Sequence, residues 1–181
     1  TAGLHVIDVT APQTPTLLAT LATGGSASAV SVLGSSAYVA GRGSGLAIVD
    51  ISDPAYPQLT HTLPLSGTAL GVTAAFTGSR AIAYVRAGLG GVAVVDVTDP
   101  AAPRQLATYA TASAANSVFL DGTVLYVAAG WQGVLALDVS HPDTPHLLGS
   151  YDTPGYAYDL RLAGDLLLVA AGEAGLQRLQ V

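Results

Sequence analysis

The chain sets short apolar runs between clusters of glycine, proline, serine and aspartate, and the pattern returns with a long period. AVSVL (29–33) leads through Gly-Ser to AYVAG (37–41). GLAIVDIS (45–52) follows, and after a proline turn comes PQLTHTL (57–63). Runs of about five β-branched or apolar residues bounded by turn formers predict strands. No apolar spacing of 3.6 residues occurs, and proline falls too often for helices of useful length. The pattern therefore predicts an all-β chain.

The glycine-led run is written four times, as GLHVIDVTAPQTP (3–15), GLAIVDISDPAYP (45–57), GVAVVDVTDPAAP (91–103) and GVLALDVSHPDTP (133–145). GLQRLQV (175–181) begins a fifth copy. The leading glycines are Gly3, Gly45, Gly91, Gly133 and Gly175, at spacings of 42, 46, 42 and 42 residues. Asp8, Asp50, Asp96 and Asp138 hold one register position, and eight prolines hold two more (12, 54, 100, 142 and 15, 57, 103, 145). The spacing of 46 arises around AAFTGSRAIAYV, where four additional residues lengthen one hairpin. A repeat of 40–45 residues holding four strands is the signature of a β-propeller blade. Blades pack face to face, so their middle strands are apolar on both sides.

If the glycine-led run is the third strand of a blade, the chain holds a partial blade (3–23), three blades (29–63, 70–109, 116–151) and a second partial blade (157–181). Closing these about four repeats on themselves brings five strands where four belong, with 3–9 and 175–181 competing for one slot. The expectation is a segment of a larger ring, completed by further blades of the same protein or by a second copy.

The recurrent aspartate stands just before the proline turn in every copy. Its expected work is structural: accepting hydrogen bonds from backbone N–H groups of that turn, helped by the Ser or Thr two residues on. The prolines fix φ where the chain crosses to the outer strand, and the glycines allow close backbone approach.

The pattern G-L-x-V-x-D-V/I-T/S-x-P-x-x-P, with Tyr38-Val39-Ala40, Tyr126-Val127-Ala128 and Leu168-Val169-Ala170 ahead of it, resembles the LVIVD-repeat β-propeller proteins over essentially the whole chain. The resemblance implies a secreted or cell-surface protein of bacterial or archaeal type and no defined reaction. Many members carry Asp directly after Y-V-A. Here that position holds Gly41, Ala87, Ala129 and Ala171, so a site built on that carboxylate is not expected.

Composition narrows the chemistry. Half of the residues are apolar and only 10% are charged, against a usual charged share of about 25%. That suits sheets covered on both faces. The longest apolar run, Leu166 to Ala171, is far short of the roughly 20 residues that cross a bilayer as a helix. Cysteine is absent, which excludes disulfides, zinc–thiolate sites and thiol catalysis. Net charge is −6, with six scattered arginines and no lysine, so a surface that tracks nucleic-acid phosphates is not expected. The chain begins at Thr1 and contains no methionine, so it is expected to be processed or part of something longer.

No catalytic, metal or cofactor set emerges. His5, His61, His141 and His146 fall at different repeat positions, and HPDTPH (141–146) reads as a solvated turn rather than a metal cluster. GRGSG (41–45) and GLGG (88–91) lack the following helix that a dinucleotide fingerprint needs. No G-x-S-x-G elbow occurs.

Residues that break the repeat point to function better than those that obey it. The turns entering the glycine-led strands, together with those entering the first strands, share one rim of a propeller. That rim is expected to display Arg42, Arg86, Trp131 and Glu173 from the first set and Tyr156 from the second. Trp131, the only tryptophan, either contacts a protein or sugar partner or packs on the next blade. The main expectation is a non-enzymatic binding, adhesion or protein-interaction module. The alternatives are part of an enzyme acting from its central channel, or an architectural spacer.

Overall fold

The computed structural model describes residues 3–181. It is all-β apart from one turn of 3-10 helix at Gly172–Ala174, and its strands form five antiparallel sheets. The first sheet pairs β1 (Leu4–Asp8) with β2 (Thr16–Leu21). The second runs β3 (Ser26–Leu33), β4 (Ser36–Arg42), β5 (Gly45–Asp50) and β6 (Gln58–Leu63). The third runs β7 (Gly71–Thr77), β8 (Arg80–Arg86), β9 (Val92–Asp96) and β10 (Arg104–Tyr109). The fourth holds β11 (Ser117–Asp121), β12 (Val124–Ala128), β13 (Val134–Asp138) and β14 (His146–Tyr151), and the fifth β15 (Asp159–Ala163), β16 (Leu166–Ala170) and β17 (Leu176–Gln180). Each sheet is a meander in chain order.

The middle strands read as continuous apolar runs because each serves two interfaces. In β8, Ala81, Ala83 and Val85 face the second sheet, packing with Tyr38, Leu46 and Ile48. Ile82 and Tyr84 point the other way, into a cluster with Leu125, Val127, Leu135 and Leu137 of the fourth sheet. The same alternation joins the fourth sheet to the fifth through Val134, Leu160, Leu167 and Val169. Leu4 and Leu21 pack on Val39, Ala47 and Val49 to seat the first sheet on the second. Alternation of period two therefore yields a stack of sheets rather than one sheet with a wet face.

The first strands stand side by side along the stack, β3 against β7, β7 against β11 and β11 against β15. Side chains tie this inner row together. Ser28 Oγ donates to the carbonyls of Ala40 and Ala69, both at 3.0 Å, and Asn116 Nδ2 donates to Ala157 O at 2.9 Å. The arrangement is propeller-like: first strands innermost, fourth strands outermost.

The repeated sequence positions do local backbone work. Gly45, Gly91 and Gly133 adopt φ of 87°, 77° and 75°. A Cβ on each would overlap the carbonyl oxygen of Leu63, Tyr109 or Tyr151, the last residue of the outer strand. Glycine is thus required twice, by the left-handed backbone and by the approach of the fourth strand. The carboxylates of Asp8, Asp50, Asp96 and Asp138 accept the backbone N–H of Thr10, Ser52, Thr98 and Ser140 at 2.8, 2.8, 2.9 and 2.7 Å. Those bonds start the proline turn and, with the side chains of Thr10 and Ser52, hold Asp8 and Asp50 below the usual carboxylate range; the Ser140 side chain, then its backbone N–H, does the same for Asp138. Burial pushes Asp96 upward, but Thr98 and Arg80 outweigh it, and it too is lowered.

The inserted residues lengthen β7 and β8. Beyond the cross-strand pair Gly71–Arg86, the hairpin continues to Thr77–Arg80, whereas from Ala29–Ala40 its counterpart reaches only Leu33–Ser36. At the tip of the longer hairpin, Arg80 reaches Asp96 Oδ2 of its own sheet at 2.9 Å and Asp143 Oδ2 of the fourth sheet at 2.7 Å. The aspartate of HPDTPH is thereby engaged as an anchor between sheets.

The two end sheets have two and three strands, so each leaves a strand edge unpaired. A cavity of about 400 Å³ lies where a fourth strand would follow β17, lined by Tyr126, Val134, Tyr151, Leu167, Leu179 and Val181. Gly175 keeps its positive φ of 70° although nothing approaches it. At the other end, Ile7, Val30 and Val32 are exposed beside a cavity of about 300 Å³.

Candidate functional site

Two short segments at one end of the inner row build a surface that the sequence shows only in parts. The first is the turn after β12. Gln132 N–H donates to Ala129 O at 2.9 Å, and Gly133 N–H to Gly130 O at 3.1 Å. Trp131 is thereby lifted to the tip. The second is the lead-in to β15, whose Ala157 N–H donates to Gly130 O at 2.9 Å. Gly130 has φ of 56°, and a Cβ there would sit 2.9 Å from the ring of Tyr156. Glycine at 130 lets the tyrosine lie against the turn.

The outcome is an aromatic row. Trp131 and Tyr156 meet edge to face, ring centroids 5.2 Å apart at 84°. Tyr156 and Tyr158 meet at 4.6 Å and 51°. Trp131 is 77% exposed and Tyr158 57% exposed. Trp131 therefore rests against the connection into the fifth sheet while most of its indole faces solvent. Mutual edge-to-face packing fixes such rings without covering them.

Tyr158 also lines a polar cavity of about 370 Å³ at the centre of the inner row. Ala29, Gly71, Ser117 and Asp159 contribute one equivalent position from each of the four first strands, being paired with Ala40, Arg86, Ala128 and Ala170. Thr73, Arg86, Asn116 and Arg161 complete the polar lining, and no histidine is among the lining residues. Asp159 Oδ1 accepts from Ser117 Oγ at 2.5 Å and from Arg161 Nη1 at 3.0 Å.

Arg86 is the unusual member. It is the last residue of β8, half-buried, and extends into the cavity instead of standing on the exposed rim where turn counting puts it. Its side chain lies across Gly71, where any Cβ would overlap the guanidinium. Burial draws its pKa below the ordinary arginine value; the Asp159 charge opposes this and the Arg42 charge adds to it. The guanidinium stays protonated all the same.

The remaining rim candidates are dispersed. Arg42 ends β4 and is exposed, and Glu173 sits on the exposed 3-10 turn. The structure thus links Trp131 to Tyr156 and Tyr156 to Tyr158, which lines the cavity mouth with Arg86, Asn116, Ser117, Asp159 and Arg161. One sequence signal for Arg86 does exist: it stands where the other repeats place Ala40, Ala128 and Ala170. What this mouth offers is donors, acceptors and aromatic faces for recognition.

Solved structures share the fold, among them two computationally designed proteins. The crystal structure of the computationally designed Ika4 protein superposes with a TM-score of 0.69 at 12% identity, over 87% of this chain and 92% of that one. The computationally designed Ika8 protein gives 0.72 at 13% identity, over 93% of this chain and 50% of that one, so the chain spans half of its length. Identities this low speak to fold alone. No curated protein matches the chain by sequence. The family model for the LVIVD repeat matches residues 24–63, 82–111 and 112–153. Those segments take in most of the chain and lie on the three complete sheets, and the chain belongs to the LVIVD repeat family.

Proposed function

We propose that the chain is a β-propeller segment acting as a non-enzymatic binding or adhesion module of a secreted or cell-surface repeat protein. The observation that carries this reading is the exposed row Trp131–Tyr156–Tyr158 beside a polar cavity. Large aromatic side chains held by their neighbours lose little freedom on contact, which favours their use as anchors for a protein or glycan partner. The family resemblance supports placement outside the cell.

Trp131→Ala tests the reading. Against panels of immobilised glycans and extracellular proteins, the wild-type chain should retain a partner that the variant holds roughly tenfold more weakly or worse. The circular dichroism spectrum should not change. Equal retention by both chains would remove Trp131 as the anchor and the reading with it.

The same proposal holds that the ring is larger than these sheets. The unpaired edges of β1 and β17, each beside a cavity, support this, since such edges seek further strands. Light scattering across a concentration series should show association, either as a defined dimer or as larger species. A monodisperse monomer at every concentration would rule out completion by a second copy and leave completion to further blades of the same protein.

A further inference from the structure

We infer that the central cavity binds the carboxylate of an acidic sugar, a uronic acid unit of a glycan, with Arg86 as its principal contact. The inference deepens the binding-module reading and rests on it.

The cavity contains a cation in search of an anion. Among the described residues Arg80 and Arg161 are paired, while Arg42, Arg86, Arg104 and Arg178 have neither an ion-pair partner within 4.0 Å nor a hydrogen-bond acceptor, and of these four only Arg86 is not exposed. It is also half-buried, where a charge with no hydrogen-bonded partner is costly, and the Asp159 charge acts on it only from a distance. Two coordinated departures from the repeat create the situation. Arginine replaces the alanine of the other copies, and the residue paired with it across the strands is Gly71, the one that leaves room for the guanidinium. A solitary arginine would be a surface accident. An arginine whose cross-strand partner is emptied to admit it is a built feature.

The planar guanidinium offers paired donors that match a carboxylate. Around it, Asp159 accepts, Asn116, Ser117 and Thr73 supply mixed donors and acceptors, and Arg161 adds a second cation. Such a lining answers a ring bearing several hydroxyl groups as well as one charge. Tyr158 connects the cavity to Tyr156 and Trp131, whose ring faces suit the apolar C–H face of a pyranose. A cavity of about 370 Å³ is within the usual range for small-ligand sites. A peptide C-terminus would satisfy Arg86, but it would leave the hydroxyl-matching groups and the aromatic row without a role.

The test titrates the chain with oligogalacturonate and with its methyl-esterified form, which has the same rings and no charge, by calorimetry. The acid form should bind, more weakly as salt is raised, and the ester should bind at least tenfold more weakly. Arg86→Ala should lose about tenfold or more for the acid form and leave ester binding unchanged. Gly71→Ala should do the same by displacing the guanidinium while every charge is kept. Arg104→Ala, on the exposed outer strand β10, should match the wild type. Equal binding of acid and ester, or wild-type affinity in Arg86→Ala, would overturn the carboxylate site. If Trp131→Ala weakens both forms alike while Arg86→Ala alters neither, the aromatic binding surface stands and the carboxylate site falls. If neither form binds the wild-type chain, the acidic-sugar assignment falls, and the glycan and protein panels alone decide the module reading.

Discussion

Gly91→Ala should lower the melting temperature of the chain by about 8–16 °C. Two costs add at this position. The backbone has φ of 77°, and holding a non-glycine residue in that region costs about 1–3 kcal/mol. The new methyl group would also overlap the carbonyl oxygen of Tyr109, so β9 and β10 must part. Overpacking of this kind costs a further 1–3 kcal/mol or so. The sum is about 4 kcal/mol, and a domain of this length loses roughly 2–4 °C per kcal/mol. Gly175→Ala is the matched control, because its φ is 70° but no strand approaches it. It should show the conformational cost alone. Equal losses in scanning calorimetry would mean that the approach of the outer strand is not what glycine serves in this repeat.

Leu135→Ala should cost about 3 kcal/mol, read as a fall in the denaturant midpoint with an unchanged slope. Leu135 is fully buried between the third and fourth sheets among Ile82, Tyr84, Val94, Leu125 and Leu137. Those neighbours stand on strands hydrogen-bonded on both sides, so they cannot collapse into the space. Leucine-to-alanine changes in such rigid surroundings cost 2–5 kcal/mol or so. Leu89→Ala, at an exposed turn tip, should stay within about 0.5 kcal/mol of the parent. If Leu135→Ala were as mild as Leu89→Ala, the interface between these sheets would not be a packed core.

Much of this architecture is legible in the sequence because it is local and repeated. Alternation within a few residues sets each strand, and the glycine, the aspartate and the two prolines settle each turn with partners no more than a strand away. The 46-residue spacing gives the longer hairpin in the same way. The mouth of the cavity is harder to read because it is made by different sheets. Tyr158 and Asp159 sit in an ordinary-looking lead-in, and only the alignment of β15 beside β11 brings Asp159 to Ser117, 42 residues earlier in the chain. Turn counting places Arg86 on the rim, yet strand pairing extends β8 through it and turns its side chain inward over Gly71. Whether Trp131 is covered depends on Tyr156, which arrives from the next repeat and supports the indole from the side.

The long hairpin of the third sheet has a consequence for orientation. A stack of near-identical sheets looks nearly the same after each rotation about its inner row, so a partner could settle on it in several equivalent poses. Here the lengthened hairpin with its Arg80 bridge and the Gly71–Arg86 pair belong to the same sheet, at opposite ends of β7 and β8. That sheet is a landmark on an otherwise repetitive object, and it gives an approaching molecule one bearing from which to tell every other direction.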